Sequence, residues 1–419
     1  MFRGRTAGSG LWVAGVLFSA ALASGAPKPG KPAPKGLKPY PSKYYIIYTD
    51  LDANAVREAS ARMSAMAEEY RRRTKGFAGV IRKRLAFYLY SKLEDYHEAG
   101  APKGSAGVYH PGKEALMAVA QHGTGDQLWY VVQHEGFHQF VHMVIGGQIP
   151  IWVNEGMAEY FGQGVWTGDG FVTGVIPPGR LKSLQGYIRE EKLTPFREML
   201  LMTHTKWSGD LTDSDKPGDA DGTKKTGETD DDRARRARIN YDQAWSMVHF
   251  LVHAHNGKYR KPFSSMIRDI SRGRNGATAF QSRFGRNLKA FEKRYKDWWL
   301  SQPEHPTSDL YIQAVVETLT SFLARAVSQG QKFATAEAFF SEARAGTLKS
   351  HKTQWLPPSL LNNALLYARP WKKGWSLENV GRVPKLILTW SDGKTFTGTF
   401  THARGKADRV KVTVAKKKE

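Results

Sequence analysis

His134-Glu135-Gly136-Phe137-His138, followed by Trp152-Val153-Asn154-Glu155-Gly156-Met157-Ala158-Glu159-Tyr160-Phe161, decides how this chain is read. On a helix, residues four apart stand one above the other. The first stretch therefore sets two imidazoles on one face, as two ligands of a single ion require. The second stretch offers a carboxylate, Glu155, at 155 − 138 − 1 = 16 residues after the second histidine. Two histidines, a carboxylate and a water make a four-coordinate zinc site with one exchangeable position, the signature of a catalytic rather than a structural ion. The bare H-E-x-x-H pattern arises by chance in a chain of this size at on the order of one per cent or a few. The competing reading is a helix whose histidines cap, pack or face solvent. Against it, the motif lies in a strongly apolar helical run, Leu128 through Val144, where two imidazoles and a carboxylate would be costly to bury without a partner. A second acid, Glu159, also repeats on the helical face of Glu155.

His134-Glu135-x-x-His138 with Asn154-Glu155-Gly156-x-Ala158 resembles the gluzincin metallopeptidases, the thermolysin-like and M1-aminopeptidase-like group. It is closest to the peptidase-MA-like domains of secreted bacterial proteins. The resemblance is specific over about residues 126–165, extends plausibly over 43–300 and is silent beyond. It implies Zn2+ bound by His134, His138 and Glu155, with Glu159 orienting the first histidine. It further implies that a tyrosine opening the later helix Tyr241–Leu251 points at the metal and stabilises an oxyanion, a role for which Tyr241 is the candidate. A core or rim tyrosine is an equal alternative. His249 and His253 are also spaced i,i+4, but no acidic third partner lies nearby, and they read as structural or surface histidines.

The chain has 419 residues, of which 41% are hydrophobic and 24% charged, enough for a globular protein of two domains. Arg3 and Arg5, the apolar run Leu11–Leu22 and Ala21-Leu22-Ala23 read as an export signal over residues 1–23. The apolar run is too short for a membrane anchor, and no later stretch is expected to span a bilayer. The expected location is outside the cytoplasm: periplasm, envelope or medium. There is no cysteine, which excludes a disulfide framework and a lipoprotein anchor. The net charge of +23, or 23 − 2 = +21 without the two leader arginines, favours contact with polyanions such as acidic envelope polymers. No nucleic-acid module is recognisable, and no nucleic-acid partner is expected.

Residues 24–42 alternate proline with lysine and read as an extended linker. Tyr44–Tyr48 is a predicted strand, followed by a capped helix to about Arg73 and further strands at Leu85–Tyr90 and Ala115–Ala120. In a gluzincin such a sheet has an edge beside the metal that can pair with an extended substrate, and Ala115–Ala120 is the candidate edge, with an internal strand equally compatible. The motif helix is expected from Asp126, as cap, to Gly146-Gly147. Residues 208–232 read as a flexible insertion, because no register supplies a calcium loop. Helices recur over 262–300; Pro303 and Pro306 mark a boundary. Residues 301–419 are expected to add helices at Tyr311–Ala326 and Thr335–Ala345 and a small antiparallel sheet. The fold class is therefore α+β: a zincin-like catalytic domain over 43–300, with a mixed sheet, the H-E-x-x-H helix and a helical subdomain, then a C-terminal helical and β region.

The reaction so implied is hydrolysis of a peptide bond in a protein or peptide substrate, with Glu135 as general base for a metal-activated water. The G-x-M-E-N element of M1 aminopeptidases has no counterpart between Gly104 and Gly125, which favours an endopeptidase. Two rivals stay open: an inactive zincin-fold binding or scaffold protein, and a zinc hydrolase of a non-peptide amide or ester.

Overall fold

The computed structural model describes residues 34–120, 125–209, 229–380 and 383–416; the predicted leader and most of the predicted insertion fall outside them. The chain opens with β1 (Lys38–Pro41), which takes up the end of the stretch read as linker and pairs antiparallel with β2 (Tyr45–Thr49). Next come α1 (Ala53–Thr74), β3 (Leu85–Tyr90), α2 (Leu93–Glu98), β4 (Gly107–His110) and β5 (Ala115–Val119). The cap of α1 is Asp52, whose carboxylate accepts from the backbone N–H groups of Asn54 and Ala55 at 2.9 and 2.8 Å.

These strands form one mixed sheet in the order β1-β2-β3-β5-β4. β2, β3 and β5 run parallel, and antiparallel β1 and β4 form the edges. β5 is buried along its whole length because both of its faces are covered. Leu116 and Ala118 pack with Met63 of α1 and with Trp129 and Val132, while Ala115 and Met117 pack with Tyr96 of α2. The expected edge at Ala115–Ala120 is thus corrected: that segment is internal, and β4 is the edge.

The motif helix α3 (Asp126–Phe140) lies against this sheet. Its N-cap is Gly125 with no side-chain hydrogen bond, so Asp126 supplies charge to the first turn rather than the expected cap. A π-turn, Val141–Ile145, ends it, and Gly146 and Gly147 follow at φ 69° and 77°, a conformation suited to glycine. Pro150 then starts α4 (Ile151–Gly162), and a short hairpin, β6 (Val165–Trp166) and β7 (Phe171–Val172), comes after it. The helical half comprises α5 (Pro178–Arg189), α6 (Phe196–Leu200), α7 (His204–Gly209), α8 (Asp230–Gly257), α9 (Arg260–Ser271), α10 (Gly276–Phe284) and α11 (Leu288–Leu300).

The remainder holds α12 (Ser308–Ser328), α13 (Ala336–Ala345), α14 (Pro358–Ala368) and β8 (Trp375–Val380), β9 (Val383–Thr389), β10 (Thr395–Ala403) and β11 (Lys406–Ala415). These four strands form an antiparallel sheet in the order β11-β10-β9-β8. The described residues thus form a mixed α/β fold with 14 α-helices and a separate C-terminal sheet. One expectation needs amending. α12 is long and apolar enough to cross a bilayer, but 67% of its most apolar window is buried within the fold. Its apolar surface is covered by β10, β11, α14 and the β6–β7 hairpin, as for the central helix of a core.

Candidate metal centre

The site is made by α3 and α4 lying side by side, and polar side chains hold the two together. The Gln133 amide donates to the carbonyls of Phe161, Gly162 and Gly164 at 3.2, 3.0 and 3.1 Å, serving the C-terminal end of α4. The Tyr70 hydroxyl donates to the Gln133 carbonyl at 2.5 Å. Gln139 ties the other end of α3 to the sheet through the carbonyls of Ala86 and Glu114. On the far side of α4, a Cβ at Gly156 would lie 2.3 Å from the Ala244 carbonyl oxygen, so only glycine lets α8 approach this closely.

His134, Glu135 and His138 form a buried group that could hold a metal ion. Glu155 joins them from α4. The two Nε2 atoms are 3.1 Å apart, and Glu155 Oε2 lies 3.4 Å from each. Ligand atoms at the corners of a tetrahedron around zinc, with bonds of about 2.0–2.1 Å, are roughly 3.3–3.4 Å apart. The triangle therefore has the size of one face of such a shell. Glu155 Oε2 is buried and has no well-formed hydrogen bond. In their neutral forms the two imidazoles would present lone pairs to the carboxylate and to one another. Burial would lower both rings, but Glu155 raises them above 6.5 in favour of the protonated form, and a bound cation relieves the same crowding. The donors fit a zinc-like ion, though the metal's identity is not fixed by them. Burial would raise the Glu155 carboxyl, but the charge of His138 and the closeness of both imidazoles outweigh it and hold it at about 2. The anionic ligand form is thus the native one.

Glu135 points elsewhere. Its Oε2 accepts from the backbone N–H of Tyr109, on the edge strand β4, at 2.9 Å. Burial raises its carboxyl above the usual range, against the pull of the imidazoles and that N–H. Glu159 stands behind His134, with Oε1 3.1 Å from Nδ1, near enough to pair although not aligned as a straight hydrogen bond. Its Oε2 accepts from the Tyr130 hydroxyl at 2.7 Å and from Arg180 at 2.6 Å.

Tyr241 is brought to the same place, its ring centroid 6.4 Å from that of His134 and 5.0 Å from Trp207. Burial raises its phenol well above 10, so it is a hydrogen-bond donor at neutral pH. It does not open its helix as expected, however: α8 begins at Asp230, and Tyr241 lies 241 − 230 = 11 residues inside it. His249 and His253 prove structural, the first bonded to the Gly174 carbonyl at 3.1 Å and the second to the Tyr160 hydroxyl at 2.9 Å.

Three nearby residues escaped the sequence reading. Tyr130 precedes His134 by four residues on the same helical face, a signal that was present. Arg180 and His204 had none. His204, at the start of α7, lies within electrostatic reach of Glu155 and His138. Comparison with known proteins adds no relative: no family model matches the chain, and no match is found among curated proteins or solved structures.

Proposed function

We propose that this chain is a zinc-dependent hydrolase of peptide bonds, an exported gluzincin-like endopeptidase. The triangle of His134 Nε2, His138 Nε2 and Glu155 Oε2, with sides of 3.1, 3.4 and 3.4 Å, is the observation that supports it. These three residues would hold the ion. A bound zinc supplies Lewis acidity, lowering the pKa of a water and polarising a carbonyl.

The chain's own groups do the rest. Glu135, adjacent to the ligands and kept basic by burial, takes a proton from water and passes it to the leaving amine. The Tyr109 N–H keeps its carboxylate directed. Glu159, with Oε1 3.1 Å from His134 Nδ1, favours the tautomer that carries its proton there and so presents Nε2. The Tyr241 phenol donates to the oxygen that gains charge as the carbonyl is attacked.

Metal analysis of purified protein and peptide-library cleavage by wild type and Glu135→Gln test this reading. The variant should keep its zinc and lose turnover by about 10²–10⁴-fold. Equal turnover by the two proteins removes Glu135 from the mechanism. A wild type that neither holds nor takes up zinc removes the reading itself.

A further inference from the structure

Arg180 stands at the back of the site, and it comes from neither ligand helix but from the first turn of α5. Its side chain is only 12% exposed. Three of its nitrogens serve separate acceptors. Nη1 donates to Glu159 Oε2 at 2.6 Å, Nε to Asp242 Oδ1 at 2.6 Å and Nη2 to the Tyr241 carbonyl at 3.4 Å. Its plane also lies 4.4 Å from the Trp245 ring centroid. Continuous side-chain contact therefore runs from His134 Nδ1 through Glu159 to Arg180, and on to Asp242 and the backbone of Tyr241. The imidazole on α3 and the phenol on α8 belong to helices far apart in sequence, and this one side chain links them.

We infer that Arg180 is a positioning residue, fixing the His134 imidazole and the Tyr241 phenol relative to one another through Glu159 and Asp242. The inference rests on the metal-site reading above and deepens it. An arginine placed only to neutralise a buried carboxylate would be expected to grip it with two parallel bonds. Arg180 instead divides its donors between carboxylates on α4 and α8, with Nη2 on a backbone carbonyl. The planar guanidinium fixes the angle between those bonds. A lysine ammonium, a point charge on a flexible stem, cannot reproduce that fork. Burial would lower the pKa of Arg180, but the charges of Glu159 and Asp242 outweigh it and hold it above its ordinary value, so the cation persists at any working pH.

The test compares wild type, Arg180→Lys and Asp242→Ala as full chains. Zinc affinity is measured by chelator competition, the visible spectrum of the cobalt-loaded protein is recorded, and peptide turnover is followed. Arg180→Lys keeps a positive charge but loses the fork. It should weaken zinc binding about 10–100-fold, as loss of a partner behind a ligand does, and shift the cobalt bands. Asp242→Ala removes the shorter of the two bonds toward α8 and leaves the bond to Glu159. It should hold zinc as wild type does, while kcat falls and the further change Tyr241→Phe costs little more. A purely structural Arg180 would lower the melting temperature without moving zinc affinity, spectrum or the Tyr241 dependence, and that result overturns the inference. So does wild-type behaviour of Arg180→Lys. A wild type that takes up no ion overturns the parent reading and this one together, whereas normal wild-type loading with indifferent variants overturns this one alone.

Discussion

At the scale of single residues the proposed metal centre turns on Glu155 Oε2, 3.4 Å from two imidazole nitrogens and without a well-formed hydrogen bond. Replacing it by glutamine keeps the shape but removes the anion. Glu155→Gln should therefore lose more zinc affinity than any partner behind the ligands, beyond about 100-fold, in the same chelator competition. Tyr241→Phe makes the opposite prediction. Zinc affinity stays, because no ligand changes, while kcat falls by about 10²–10³-fold if the phenol stabilises charge in the transition state. Unchanged kcat would return Tyr241 to the rank of a rim aromatic. A third prediction concerns pH. Burial lowers His249 from its ordinary 6.5 to about 4, against the hydrogen bond to Gly174. Between those values the unfolded chain binds a proton that the folded chain refuses, so stability is full above about 6.5 and is lost as pH falls toward 4. His249→Gln should flatten the fall in melting temperature between pH 7 and pH 5.

At the scale of elements, Gly156 of α4 and Gly186 of α5 make opposite demands. Gly156→Ala drives a methyl into the Ala244 carbonyl of α8 and should destabilise by about 1–3 kcal/mol or more, with Tyr241 displaced. Gly186, inside α5, has open space where a Cβ would stand, so Gly186→Ala should raise the melting temperature by stiffening the unfolded chain, by about 0.4–1 kcal/mol. Thermal denaturation of the two variants checks both signs. Much of this level was legible in the sequence. The motif helix and the Glu155 helix were read because apolar residues surround their polar ones. The start of α8 was missed because Asp230-Asp231-Asp232-Arg233 reads as solvated insertion, although Thr229 and Asp232 carry the reciprocal cap that begins it. β5 was left open between an edge and an internal strand, although its unbroken apolar run is what a strand covered on both faces requires. Arg180 was illegible in principle: its partners, Glu159 and Asp242, lie 21 and 62 residues away along the chain, and no local pattern announces them.

For the whole molecule, the predicted boundary near Pro303 and Pro306 is crossed by polar contacts. Arg325 grips Asp169 of the β6–β7 hairpin with two bonds of 2.8 Å, Glu317 accepts from Thr167, and the Ile176 N–H donates to Thr307. Arg325→Gln should cost about 3–5 kcal/mol of stability if the pair behaves as a buried one, read by chemical denaturation; a loss below about 1 kcal/mol would make the contact incidental. The same hairpin reaches the other way, since the Thr173 hydroxyl beside it donates to Glu69 of α1, and the Gly174 carbonyl accepts from His249 of α8. Two short strands thus act as a dowel between the halves. A protease cut or a truncation near residue 300 would strip these contacts from the first half and loosen the peg against which the tyrosine-bearing helix is braced.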